Sequence, residues 1–174
     1  MTVKELLLVI LSAAVADNLV LSGYFGFDSS VLGANKKSFS LCLGAVIIVS
    51  TLICNLLHGV LVSMGVEYME IMVFALVILV VCAIAVKLMG EKAPSFAMLT
   101  LNSVLLGVAL TGHSMGLAEA LCYALGTAIG FWVLLEVFAS LRLKLNNPNV
   151  PKAFKGMPIT VLAAGIIAMA IYAF

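Results

Sequence analysis

Residues 6–33, LLLVILSAAVADNLVLSGYFGFDSSVLG, decide how the rest of the chain reads. The stretch is nearly all apolar, yet Asp17 and Asn18 stand in its middle and Asp28 near its end. Hydrocarbon cannot satisfy a carboxylate or an amide, so such groups face protein or a water-filled cavity. A polar pair in mid-span, followed by Gly23 and Gly26, predicts a helix that breaks and restarts. A related pattern returns at Leu101-Asn102-Ser103, in LNSVLLGVAL. Asn18 and Asn102 are 84 residues apart in a chain of 174, so each holds an equivalent place in its own half.

The composition around these stretches excludes most function classes. Apolar residues make up 64% of the chain and charged residues 10%, and the mean hydropathy is +1.27. Soluble domains carry about 45–50% apolar and about 25% charged residues. An all-α integral membrane protein is expected, a single membrane domain over 1–174, with no room for a soluble catalytic or nucleotide-binding domain. The net charge of +1 carries no signal for nucleic acid, because the basic residues sit in short loops; the expected partner is membrane lipid, with no nucleic acid. The opening MTVKELLLVILSAAVADN could pass for a signal peptide ending at Ala14-Val15-Ala16. The apolar stretch runs well past Ala16, which argues against cleavage there.

Six spans fit: 6–33, 39–62, 71–86, 96–111, 120–141 and 159–174. A perpendicular helix needs about 20 residues to cross the hydrocarbon, so the third, fourth and sixth read as short. Pro94 and Pro158 stand where helices can begin. Eight of the nine basic residues fall in the loops after spans 1, 3 and 5: Lys36, Lys37, Lys87, Lys92, Arg142, Lys144, Lys152 and Lys155. The other side holds Lys4 with Glu5, Glu67, Glu70, His113 and Glu119. The excess of lysine and arginine marks the cytoplasmic side, so both termini are expected outside. The polar patch 89–94 splits the chain into halves of about 1–88 and 94–174. Three spans per half would make them inverted repeats, with spans 1 and 4 broken and a site between them near the midplane.

Several residues within spans carry two readings. Asp17, Asn18 and Asn102 can satisfy backbone groups freed at the breaks, or bind an ion or substrate there. Glu136, in GFWVLLEVFASLRLKL, is six residues before Arg142 and is expected to be buried towards the cytoplasmic side. It reads either as half of a structural ion pair or as a proton- or cation-binding carboxylate. Gly126 and Gly130 form a GxxxG close-packing face, open to a subunit interface or an internal contact. His58 reads as interfacial. Cys42, Cys54, Cys82 and Cys122 lie in apolar runs without CxxC spacing and read as small buried hydrophobes. No nucleophile with a positioned base and no phosphate-binding loop is present, so the chain has no catalytic site of its own in sequence.

DNLVLSGYFGF with the Lys36-Lys37 pair, LNSVLLGVAL, and VPKAFKGMPITVLAAGIIAMAIYAF resemble three segments of the Rnf/Nqr membrane subunits, closest to the RnfA/NqrE type. The resemblance covers most of the chain. It implies a prokaryotic plasma-membrane subunit of a translocase that couples electron transport to ion transport, in company with other Rnf/Nqr subunits. It also implies a dimer, with itself or with a related subunit, and a [2Fe-2S] cluster shared between the two broken-span regions. The cluster cysteines of the family fall at Asp28 and Ser103 here, so both thiolate ligands are replaced. The first residue of the family's Asn-Asn pair is Asp17. The resemblance therefore leaves two functions open: a redox subunit of such a complex, or a relative without a cluster that acts as a small transporter or ion-binding protein.

Overall fold

The structure is a computed structural model that describes residues 3–16, 18–23, 25–26, 37–90, 93–145, 151 and 154–172. The described residues are helical, with no strand among them. The chain opens with α1 (Val3–Leu11), a π-helical turn (Ser12–Ala16) and the short α2 (Leu19–Gly23). Then come α3 (Lys37–Met64), a 3-10 turn (Glu67–Met69) and α4 (Glu70–Met89). Next come two pieces, α5 (Phe96–Thr100) and α6 (Ser103–Gly112). α7 (Leu117–Leu145) and α8 (Met157–Tyr172) complete the order.

Three helices among the described residues are long and apolar enough to cross a membrane: Phe39–Met64, Glu67–Met89 and Leu117–Leu141. The third span is thus longer than its hydropathy run suggests, at 23 residues. Glu67, Glu70 and Lys87 interrupt the apolar run at its edges, but charged side chains at a membrane surface do not end a helix. Phe96–Gly112 and Pro158–Ile171 remain short. Pro158 falls in the first turn of α8, where a missing N–H costs no helical hydrogen bond.

α3 and α7 form the centre. α7 packs along α3, and α1 with its π turn lies on α7, while α6 lies on α3. The contacts therefore join segments far apart in the chain: α1 and its π turn rest on α7, and α6 on α3. α4 runs beside α3 and α5, and α8 beside α7 and α2. The core is filled by Phe39, Leu43, Ile47, Phe74, Leu99, Leu105, Phe131 and Phe138, all essentially without exposed surface. α4 buries only Phe74, Ile78 and Cys82, four residues apart, so it lies at the periphery. Many of its other apolar side chains, Leu76 and Leu88 among them, are exposed and suit lipid rather than water.

Buried polar groups are satisfied locally, as a low-dielectric interior demands. Ser50, Thr51, Thr127 and Thr160 donate their hydroxyls to carbonyls three or four residues earlier. Cys42, Cys54 and Cys82 are buried and unpaired by disulfides, packing as small apolar side chains.

Candidate functional site: the paired helix breaks

α2 and α6 each start just after an asparagine. At the first break, the N–H of Val20 donates to Asn18 Oδ1 at 3.0 Å, and Asn18 Nδ2 donates to the Ala14 carbonyl at 2.9 Å. The N–H groups of Leu21 and Ser22 donate to the Asn18 carbonyl. At the second break, the N–H of Val104 donates to Asn102 Oδ1, also at 3.0 Å, and Asn102 has extended backbone angles as the cap of α6. An asparagine suits both places because its short side-chain oxygen reaches the N–H two residues on, a donor the new helix leaves without a partner. Both asparagines are buried.

The two breaks are joined by the segment between Asn18 and Gly26. The Gly26 N–H donates to Ser103 Oγ at 2.8 Å, across 77 residues of sequence. Gly26 has φ of +65°, a left-handed conformation open to glycine at little cost. A Cβ there would also collide with Asn102 Oδ1 and Val104 Cγ2. An apolar groove of about 220 Å³ lies alongside, lined by Leu19, Phe25, Ser103, Gly107 and neighbouring α6 residues.

The first break is seated on α7. A Cβ on Gly126 would lie 2.5 Å from the Ile10 carbonyl oxygen, and one on Gly130 would lie 2.6 Å from that of Ala14 and 2.7 Å from Asn18 Nδ2. The GxxxG face is therefore an internal contact that lets the π turn approach the α7 backbone; it is not free to serve an interface between protomers.

The structure brings Asn102, Ser103 and Gly26 together at one break and places Asn18 with Ala14 and Gly130 at the other. Asp17 and Asp28 lie outside the described residues. Glu136 corrects the expectation of burial: it is exposed, on the same face of α7 as Ile129, Trp132 and Val133. The spacing from 129 to 132, 133 and 136 puts all four on one helical stripe turned away from the core. Ser103 is exposed, beside Leu101, which is 79% exposed. This break therefore opens towards the outside of the molecule.

A family model described as "Rnf-Nqr subunit, membrane protein" matches residues 6–174. The chain belongs to the Rnf-Nqr family. Several relatives within this family are named as subunits of an ion-translocating oxidoreductase complex. One from Azoarcus sp. is 30% identical, with 98% of this chain and 96% of the relative covered. Another, from Pseudoalteromonas atlantica, is 29% identical over the same shares. A third, from Vibrio cholerae, is 29% identical over 99% of this chain and 88% of its own length.

The donor set at the described break can be tested against the [2Fe-2S] cluster implied by the resemblance to the Rnf-Nqr family. Iron–sulphur clusters are held by soft thiolates. Ser103 offers a hard hydroxyl already accepting the Gly26 N–H. The four cysteines lie elsewhere, in α3, α4 and α7. Ser103 and its surroundings do not fit a cluster ligand.

Proposed function

We propose that this chain is a membrane subunit of an ion-translocating oxidoreductase complex in which the helix breaks serve as a polar structural centre rather than as a cluster half-site. The observation that carries this reading is the Gly26 N–H to Ser103 Oγ bond. It ties the two breaks to each other at the position where the family resemblance calls for a thiolate. The names of the relatives and their near-complete coverage support membership in such a complex.

The finer architecture follows the same reading. Six spans form two inverted three-helix repeats, supported by the exchanged contacts of the first span on α7 and the fourth on α3. Both termini face outside, on the argument from the lysine-bearing loops. A related subunit, or a second copy, covers the face that carries Ser103, Leu101 and Phe25, because an exposed hydroxyl beside apolar side chains is better matched by protein than by lipid. Asp17, with Asn18 and Asn102, forms the candidate ion site, and Glu136 takes a cation or proton at a protein or lipid boundary.

Purification from its own membrane, with a tag on this chain, tests the proposal. Co-elution with other membrane and electron-transfer subunits at fixed stoichiometry is expected, with no stoichiometric iron or labile sulphide in the separated chain. Recovery of the chain alone from mild detergent would count against complex membership. Iron and sulphide lost on Ser103→Ala would instead refute the cluster-free centre. Asp17→Asn separates the two roles of that carboxylate: a structural role tolerates the amide, whereas an ion-binding role loses translocation with folding intact.

A further inference from the structure

One cluster of ligating side chains lies away from the breaks. α3 runs from Lys37 past His58 to Met64, so His58 is roughly 30 Å from the lysine end at 1.5 Å per residue. The helix closes on Gly65, whose φ is +71°. The Val66 N–H returns to the Leu61 carbonyl and the Gly65 N–H to that of Val62, the pair of bonds that ends a helix on a left-handed glycine. This tight turn brings α4 back beside α3 and sets Glu70 against His58, with His58 Nδ1 and Glu70 Oε1 2.6 Å apart.

The third member arrives from α6. His113 Nε2 is 3.7 Å from Glu70 Oε2, and its ring meets that of His58 edge-on, with centroids 4.6 Å apart. His113 Nδ1 lies 2.6 Å from the Leu110 carbonyl and donates to it. That bond puts a proton on Nδ1 and leaves Nε2, 3.7 Å from Glu70 Oε2, as the nitrogen available to a ligand. The turn that carries His113 is itself held: Asn55 Nδ2, one turn before His58 on α3, donates to the carbonyls of Gly112, His113 and Met115. Phe74 packs its ring edge against His113 from α4.

The ligand atoms of His58, Glu70 and His113 all lie within 4.8 Å of one another, and the three side chains are half-buried. A zinc ion with bonds of about 2.0–2.1 Å needs ligand atoms roughly 3.3 Å apart in a tetrahedron. The separations of 2.6 Å from His58 Nδ1 to Glu70 Oε1 and 3.7 Å from His113 Nε2 to Glu70 Oε2 lie either side of that spacing, on the two oxygens of one carboxylate, and the histidine nitrogens, within 4.8 Å of each other, have to draw together for one ion to reach all three. Two imidazoles and one carboxylate are a borderline donor set suited to zinc and its first-row neighbours, not to calcium or magnesium. A backbone carbonyl that fixes the far nitrogen of a ligating histidine is the usual support of such sites.

We propose that His58, Glu70 and His113 bind a divalent transition-metal ion of the zinc class, with a fourth position left to water. The ion takes the place of the hydrogen bond between His58 Nδ1 and Glu70 Oε1. It ties the ends of α3 and α6 to the start of α4, at the end of the bundle opposite Lys37 and Lys87.

The test uses the full chain in detergent micelles, with any histidine tag removed, stripped by chelator and then titrated with Co²⁺ and Zn²⁺. One equivalent of Co²⁺ should bind with visible d–d bands, and Zn²⁺ should displace it. His58→Ala and His113→Ala should each weaken Zn²⁺ retention by ~100-fold or more, the upper end of what even indirect support of a ligand is worth. Glu70→Gln keeps the shape and the hydrogen bond to His58, and should still lower affinity at least tenfold. It decides the matter if a histidine variant fails to fold. Absence of stoichiometric uptake by the wild type would overturn the site and leave a hydrogen-bonded cluster only. Undiminished uptake in a folded Glu70→Gln or His113→Ala protein would overturn it equally.

Discussion

The two helix breaks use one local device in two different settings. Asn18 and Asn102 each accept from the N–H two residues later, at the same 3.0 Å. The first break is preceded by a π turn pressed onto bare α7 backbone at Gly126 and Gly130. The second follows the short α5 and is held through Gly26 and Ser103, while the far end of its α6 is fastened by Asn55. The cap is thus a property of the asparagine and its local chain. The position of the cap within the bundle is a property of what packs on it. The first break depends on bare backbone in the helix it rests on, the second on a polar contact whose glycine likewise has no room for a side chain.

Single substitutions at the two breaks probe this contrast. Gly130→Val should have the largest effect. Its Cβ would lie 2.6 Å from a carbonyl oxygen. Backbone cannot yield as a side chain can, so the cost should reach the upper end of the ~1–3 kcal/mol typical of overpacking, or exceed it. Thermal unfolding in detergent should show collapse of the folded fraction; a variant that melts like the wild type would mean that the π turn does not sit on α7. Gly26→Ala combines a strained φ with collisions against Asn102 and Val104, and should cost about 1–3 kcal/mol. Because the strain bears on the second break, amide exchange should rise in α6 before it rises in α1.

Asn18→Ala and Asn102→Ala compare the caps directly. Loss of a capping oxygen costs about 0.5–2 kcal/mol. Asn18→Ala also takes away the amide donor of the Ala14 carbonyl, so its loss should exceed that of the capping bond alone. Asn18→Asp restores the acceptor but not the donor, so it should recover part of the loss; full recovery would assign the Ala14 bond no weight. Ser103→Ala should be the mildest, about 0.6 kcal/mol by the average for hydrogen bonds between membrane helices. A loss well above 2 kcal/mol in a denaturant series would give Ser103 a larger role than joining the breaks.

Much of the fold is legible in the sequence, and the features that are not share one cause. The breaks at Asn18 and Asn102 can be read because a polar residue inside an apolar run has few ways to be satisfied without water. Gly126 and Gly130 announce close packing but not its partner, since a small residue records a near neighbour without naming it. The distance of Glu136 from Arg142 along the helix suggests burial, but burial depends on the direction a residue faces around the axis. α7 turns that stripe outward with Ile129, Trp132 and Val133. In sequence His58 looks like an isolated interfacial side chain, and Glu70 and His113 like members of a charge tally. Residues 12 and 55 positions away become neighbours only when the α3–α4 turn closes and α6 lies on α3.

Hydropathy and hydrogen bonds that reach no farther than a few residues are enough to establish the membrane class, the helical content, the two breaks and the residues that cap them. They leave open which helix each broken span rests on, which face of α7 is covered, and whether two histidines and a glutamate from separate helices meet. Those outcomes came with the packed bundle. They depend on contacts between segments far apart in the chain, and side-chain pattern along a single helix specifies a face without specifying what it will touch.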